Sequence, residues 1–234
     1  MHQIVHEMEA DVLRANRKLA EGNHGLLGKN SIRCIEFLGA IGSGKTLIIE
    51  KLGSLLQESG LKVGAVVGDV AGDDDYQRFQ NIGLQSVNIN TGKECHLDAH
   101  LVEHALSHLA LQDLDVLFIE NVGNLVCPAD FPLGSDARVV IISVTEGDDM
   151  VRKHPTIFTT ADVMVVNKAD LSDAMEVDPQ GLIDDVMKVN PHIGTVVTDA
   201  RHGVGITELA TLLGLTARTI QESFPSSGTP EGGS

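Results

Sequence analysis

Apolar residues along the chain fall into short runs at 33–38, 62–67, 116–119, 139–144, 163–166 and 194–197, with a further short strand at 86–90. Stretches of a different rhythm separate them. Leu47, Ile48, Leu52, Leu55 and Leu56 follow a period near 3.6 until Gly60 closes the segment, and Leu97, Leu101, Ala105 and Leu109 share one face of a helix expected over 97–110. Asp178-Pro179 reads as the N-cap and first residue of a helix ending near Asn190, and a last helix begins at Ile206 and fades near Phe224. Short apolar runs alternating with helices predict an α/β fold, a mostly parallel sheet covered by helices on both faces. Ahead of it, Ile4, Met8, Val12, Ala15 and Leu19 form one stripe among charges, which predicts an amphipathic accessory helix ended by Gly22 and Gly25. The expected organisation is a helix and linker over 1–30, one α/β domain over 31–222, and a disordered tail over 223–234, which is rich in Gly, Ser and Pro.

Composition narrows the function classes. With 17 Lys and Arg against 33 Asp and Glu, the formal net charge is −16, a field that repels nucleic acid and anionic membrane and attracts divalent cations. A polyphosphate must then be held by local geometry. No stretch approaches the roughly 18 apolar residues of a membrane span, the N-terminus lacks the apolar centre of a secretory leader, and three cysteines make an odd number. Those observations predict a cytoplasmic protein without a disulfide framework. Cys34, inside the first apolar run, reads as a buried structural thiol.

The chemistry is organised around Gly39-Ala40-Ile41-Gly42-Ser43-Gly44-Lys45-Thr46, which joins the first apolar run to the first helical pattern. Glycines let such a turn point successive amides at a polyphosphate beside the positive end of a helix. Gly39, Gly42, Ser43, Gly44, Lys45, Thr46 and Leu47 are the expected nucleotide contacts. Lys45 would project from a solvent-facing turn onto the phosphates, and the Thr46 hydroxyl would ligate Mg²⁺. Asn167-Lys168-Ala169-Asp170 follows a later strand. A carboxylate at Asp170 accepts from the two adjacent donors of guanine, which adenine lacks; Asn167 braces the base and loop, the Lys168 stem covers the ring, and the Ala200 amide reaches the guanine O6. GTP is therefore the expected nucleotide. Glu120 ends an apolar strand three residues before Gly123, positions suited to supporting Mg²⁺ and sensing the γ-phosphate. Asp69 and Asp75 bracket an acidic run over 69–76 with the composition of a mobile loop, and either one is a candidate to orient water or complete the metal shell. No glutamine follows Gly123 closely, which predicts slow hydrolysis.

Cys95-His96 and Cys127 make a soft, incomplete ligand set suited to Zn²⁺ or Ni²⁺. His96, His100, His104 and His108 recur at four-residue spacing; His100 and His104 are further metal candidates, while His108 reads as part of a solvated face. The segments 39–46, 90–100, 118–128, 143–147 and 167–170 together resemble the hydrogenase-maturation nickel-insertion GTPases, a branch of the P-loop GTPases related to the urease accessory GTPase, over about residues 10–215. The resemblance implies a GTP-dependent homodimer with Cys95, His96 and Cys127 at its interface. It also implies two partners, a small nickel metallochaperone and the precursor of a [NiFe]-hydrogenase large subunit. The chain departs from that pattern in two places: residues 1–30 hold three scattered histidines and no cysteine, and Asp148-Asp149-Met150 stands where relatives often carry a lysine. A GTPase gating nickel delivery is the reading adopted. A metal buffer or storage protein on a nucleotide-binding fold is the alternative, and Asn167 and Asp170 argue against a third, an ATP-using small-molecule kinase.

Overall fold

A computed structural model describes the backbone of residues 2–69, 72–92 and 95–216, with side chains from Ala10 onward. The side chains of Ile4 and Met8 and the tail 223–234 lie outside it, whereas the last helix, expected to fade near Phe224, ends at Leu212, where Leu213 caps it and Gly214 turns the chain at φ +67°. Seven strands, β1 (Arg33–Gly39), β2 (Val63–Asp69), β3 (Gln85–Asn90), β4 (Val116–Glu120), β5 (Ala137–Ser143), β6 (Val163–Asn167) and β7 (Gly194–Val197), form one sheet in the order β3-β2-β4-β1-β5-β6-β7. Every pairing is parallel. The helices are α1 (His2–Lys29), α2 (Lys45–Glu58), α3 (Asp74–Asn81), α4 (Ala99–Leu106), α5 (Met150–Lys153), α6 (Pro155–Thr159), α7 (Ser172–Met175), α8 (Pro179–Val189) and α9 (Ile206–Leu212). The α/β architecture expected from the alternating runs is borne out, and among the described residues no helix is long and apolar enough to cross a membrane.

Alternation along each strand sends side chains to opposite faces, so a strand covered on both sides is apolar almost throughout, Glu36 in β1 being the exception. In β1, Ile35 and Phe37 join one core with Ile48, Leu52, Phe118, Ile141 and Leu209, where Phe37 and Phe118 meet edge to face at 5.4 Å. Cys34 and Leu38 point the other way, into two cores built around Leu117, Ile119 and Leu106, and around Val140, Ile142 and Phe158. The sheet register places Phe37 opposite Glu120, so the carboxyl end of β4 lies beside the start of the glycine-rich turn. That juxtaposition positions the site.

Two further local expectations are corrected. Gly22 and Gly25 do not end α1, which continues to Lys29. Its buried face is Asn16, Ala20, Asn23 and Leu27, while Val12 and Ala15 are exposed. Asn23 Nδ2 donates to the Ala99 and Leu133 carbonyls at 2.8 and 3.1 Å, and Asn16 accepts from the Ala99 amide at 2.8 Å while donating to the Pro132 carbonyl at 2.9 Å. These tertiary bonds offset the roughly 1 kcal/mol that each helical glycine costs. The acidic run after β2 is also more ordered than its composition suggests, since Asp74 and Asp75 form the first turn of α3, where negative charge suits the helix dipole, and Phe79 anchors that helix in the core.

Candidate functional site

The turn after β1 is built by close approach. Gly44 has φ +102°, and a Cβ there would lie 2.3 Å from Asn167 Nδ2, so only glycine fits. Lys45 is not solvent-facing as the sequence suggested. It is 7 % exposed, and its Nζ donates to the Gly39 and Ala40 carbonyls at 3.1 Å each, folding the side chain across the loop. Thr46 Oγ1 donates to Glu120 Oε1 at 2.7 Å.

A cleft of about 380 Å³ opens here. Of the residues singled out from sequence, Gly42, Gly44, Lys45, Thr46, Leu47, Asp69, Asp75, Glu120 and Gly123 line it; Gly39 and Ser43 contribute to the loop behind. Burial pushes Glu120 up to about 7, with Lys45 opposing the shift, and burial also lowers Lys45 while Glu120 and Asp75 raise it. Glu120 Oε2 is buried with no hydrogen-bond partner. An orphaned carboxylate oxygen beside a threonine hydroxyl, on a residue that lines the cleft, suits a hard cation such as Mg²⁺. Asp75 lies 3.6 Å from Arg78 Nη1, and Arg78 also pairs with Glu50. Arg78 lines the cleft but was missed in the sequence, because nothing in its surroundings there signals that α3 turns it toward the loop.

The residues proposed for the base lie across the loop, outside that cleft. Asn167 Nδ2 donates to the Ser43 carbonyl at 2.9 Å, and its Oδ1 accepts from Thr198 Oγ1 at 2.9 Å and from the Ala200 amide at 3.2 Å. One buried amide thus ties the phosphate loop to the segment after β7. Lys168 is left-handed at φ +61°, and its Nζ reaches Thr145 Oγ1 at 3.4 Å. Asp170 is exposed, with its carboxylate within 4.8 Å of ligand atoms of Asp199 and His202.

On the other side of Gly123, tertiary structure unites the soft ligands: Cys95, His96 and Cys127 bring one ligand atom each within 4.8 Å of one another. Cys95 Sγ lies 3.6 Å from His96 Nδ1, and the His96 ring packs on Phe131 with centroids 4.1 Å apart. Two thiols and an imidazole with solvent on the open side fit a four-coordinate Ni²⁺ or Zn²⁺ whose last position is free. The structure does not bring His100 or His104 into this group; His100 pairs with Glu103, and His104 packs on His108 at 4.8 Å. Also unforeseen were Glu36, Asn121 and Arg138, although a charge inside the apolar run of β1 is a signal that a buried partner must exist.

The glycine-rich turn between a parallel strand and a helix, with its lysine and hydroxyl set against an acid on the neighbouring strand, defines a P-loop nucleotide-binding protein. Residues 34–197 match the model of the CobW/HypB/UreG nucleotide-binding domain, and the chain belongs to that family. It is 50 % identical over 198 residues to the probable hydrogenase maturation factor HypB of Methanocaldococcus jannaschii, covering 84 % of this chain and 89 % of that one. It is 40 % identical over 200 residues to the HypB of Rhizobium leguminosarum bv. viciae, covering 86 % and 67 %. Among solved structures, HypB from Archaeoglobus fulgidus superposes with a TM-score of 0.80 at 44 % identity, covering 86 % of this chain and 97 % of that one. HypB from Helicobacter pylori in complex with nickel gives 0.82 at 30 %, covering 92 % and 99 %.

Proposed function

We propose that this protein is a GTP-hydrolysing metallochaperone that gates nickel delivery to the precursor of a [NiFe]-hydrogenase large subunit. One observation carries the reading: a single stretch, Gly123 to Cys127, belongs to both sites. Gly123 lines the cleft, packed so closely that a Cβ on it would meet Ile41 Cγ1 at 2.3 Å. Asn124 pairs with Gly39 of the phosphate loop, and its Nδ2 donates to the Cys95 carbonyl at 3.2 Å. Cys127 follows three residues later. A change at the γ-phosphate therefore acts on Cys127 through the chain and on Cys95 through the Asn124 bond, which alters the geometry of the ligand set. The names of the relatives, hydrogenase maturation factors of which one is in complex with nickel, support the cargo and its destination.

In this reading Gly44, Lys45 and the loop amides bind the polyphosphate, and Asp170 selects guanine; the Ala200 amide, which donates to Asn167 Oδ1 here, reaches the guanine O6 only by turning from that bond. Thr46 and Glu120, with Asp75 in reserve, would hold Mg²⁺, which would supply positive charge against the polyphosphate. Asp69 or Asp75 orients the water that attacks the γ-phosphorus, and the β–γ bridging oxygen leaves with GDP. Relaxation of the Gly123 segment after phosphate loss then alters the Cys95, His96 and Cys127 geometry, releasing the metal. The triphosphate form pairs two subunits at this face, and a small nickel metallochaperone exchanges metal there. The site holds cytoplasmic nickel or zinc, since both suit its donors.

The test is nickel affinity and sedimentation with GDP and with a non-hydrolysable GTP analogue, on the native chain and on Cys127→Ala. Affinities differing by roughly 5- to 150-fold between the two nucleotide states, lost in Cys127→Ala, are expected. Equal affinities in the native chain would favour a metal store over a gate.

A further inference from the structure

Behind the soft ligands lies a buried polar chain that the chemistry above does not use. Asn121 directly follows Glu120 at the end of β4. Its Oδ1 accepts from the Leu97 amide at 3.0 Å and from the Val122 amide at 2.9 Å, and its Nδ2 donates to Glu36 Oε1 at 2.9 Å. Glu36, wholly buried on β1, accepts at Oε2 from Arg138 Nε at 3.1 Å. The guanidinium of Arg138, on β5, then spreads to three further acceptors: the Pro128 carbonyl at 2.7 Å, the Ala129 carbonyl at 3.3 Å and Thr160 Oγ1 at 2.9 Å.

The two ends of this chain fall on the two arms of the ligand set. Leu97 is the residue after His96, and Pro128 and Ala129 are the two residues after Cys127. Its middle, Asn121, stands between the acid bonded to Thr46 and the glycine packed on the phosphate loop. We propose that Asn121, Glu36 and Arg138 are positioning residues that set the separation of Cys95 and His96 from Cys127, and that they carry the nucleotide state to the nickel site. This rests on the gated-transfer reading above.

Stability alone is a poor explanation of the arrangement. Desolvating a carboxylate and a guanidinium costs about as much as their attraction returns, and apolar side chains of the same volume commonly do as well. What apolar side chains cannot do is fix a backbone carbonyl to within a hydrogen bond's tolerance. The planar fork of Arg138 does so for two successive carbonyls, and a single amide oxygen on Asn121 does so for the amides at Leu97 and Val122. A shift of Val122 with its neighbour Gly123 therefore pulls on the same oxygen that holds Leu97. Through Glu36 it is also resisted by the group that holds the Cys127 arm.

Arg138→Lys keeps a positive charge for Glu36 and removes the fork; Asn121→Ser removes the link to Leu97. The measurements are Ni²⁺ affinity and the nickel–thiolate charge-transfer absorption of the full chain, each with GDP and with a non-hydrolysable GTP analogue, alongside GDP affinity. Arg138→Lys should melt cooperatively and bind GDP as the native chain does, yet lose roughly tenfold or more in Ni²⁺ affinity, as changes behind metal ligands commonly do. Its charge-transfer band should weaken, and the ratio of Ni²⁺ affinities between nucleotide states should fall toward one. A folded Arg138→Lys with native Ni²⁺ affinity and native ratio would overturn the proposal; if that variant does not fold, Asn121→Ser decides by the same two readings. Should the native chain itself show a ratio of one, the gating reading fails, and the positioning role is judged on affinity and absorption alone.

Discussion

Replacing Glu120 with glutamine should make the metal-free protein more stable above neutrality and slightly less stable near pH 5. Burial raises the Glu120 carboxyl from 4.5 to about 7, with Lys45 opposing. A raised folded-state value means that the folded chain holds a proton which the unfolded chain has already released between those two pH values. Stability from this group is therefore complete below about pH 4.5, falls as pH rises, and is gone above about 7. A difference of about 2.5 units at about 1.4 kcal/mol each amounts to about 3 kcal/mol of strain in the ionised native protein at pH 8. Glutamine keeps an acceptor for Thr46 and cannot ionise. Its amide nitrogen, placed where Oε2 now lacks a partner, costs about 1 kcal/mol, leaving Glu120→Gln more stable than native by roughly 2 kcal/mol at pH 8. At pH 5 the carboxyl is protonated and the variant should be slightly the weaker. Urea unfolding in chelator at both pH values measures this directly. A variant-minus-native difference that does not change with pH would refute the reasoning, because it would mean that the carboxyl is not strained. Mg²⁺ with GDP should then stabilise the native protein at pH 8 far more than the variant.

Three other substitutions address the loop and the base. Gly44→Ala combines a strained φ with an overlap against Asn167, and should weaken GDP at least tenfold; calorimetric titration on the folded variant reads it, and native affinity would mean that the loop yields easily. Lys45→Ala should abolish phosphate release and also lower the melting temperature by several degrees, since Gly39 and Ala40 lose their shared donor; turnover that survives would remove Lys45 from the chemistry. Asp170→Asn should weaken GTP much more than XTP, because the amide donates to the xanthine 2-oxo group where a carboxylate cannot. An unchanged GTP preference in competition binding would take Asp170 out of the base pocket.

Much of this molecule is written in short-range pattern. A strand buried on both faces has to be mostly apolar, and a loop that wraps phosphate has to be rich in glycine; both can be read at spacings of a few residues. So the six apolar runs and the further strand near 86–90, the turn at Gly39 to Thr46 and the group at Asn167 to Asp170 were legible without coordinates, as were Cys95, His96 and Cys127 as metal-binding types. Short-range pattern misled where distant residues decide. Gly22 and Gly25 are poor helix formers, yet α1 passes through them because Asn16 and Asn23 bond to backbone more than 70 residues away. An acidic run becomes a helix once Phe79 has a core to enter. Only the sheet order puts Glu120 beside Thr46, and only loop packing brings Cys127 to Cys95 and His96. The same holds for Arg78 in the cleft and for the chain from Asn121 through Glu36 to Arg138, whose members lie in β1 and β5 and just after β4. Their meaning is a set of distances, and distances across a sheet depend on strand order, which no local spacing encodes.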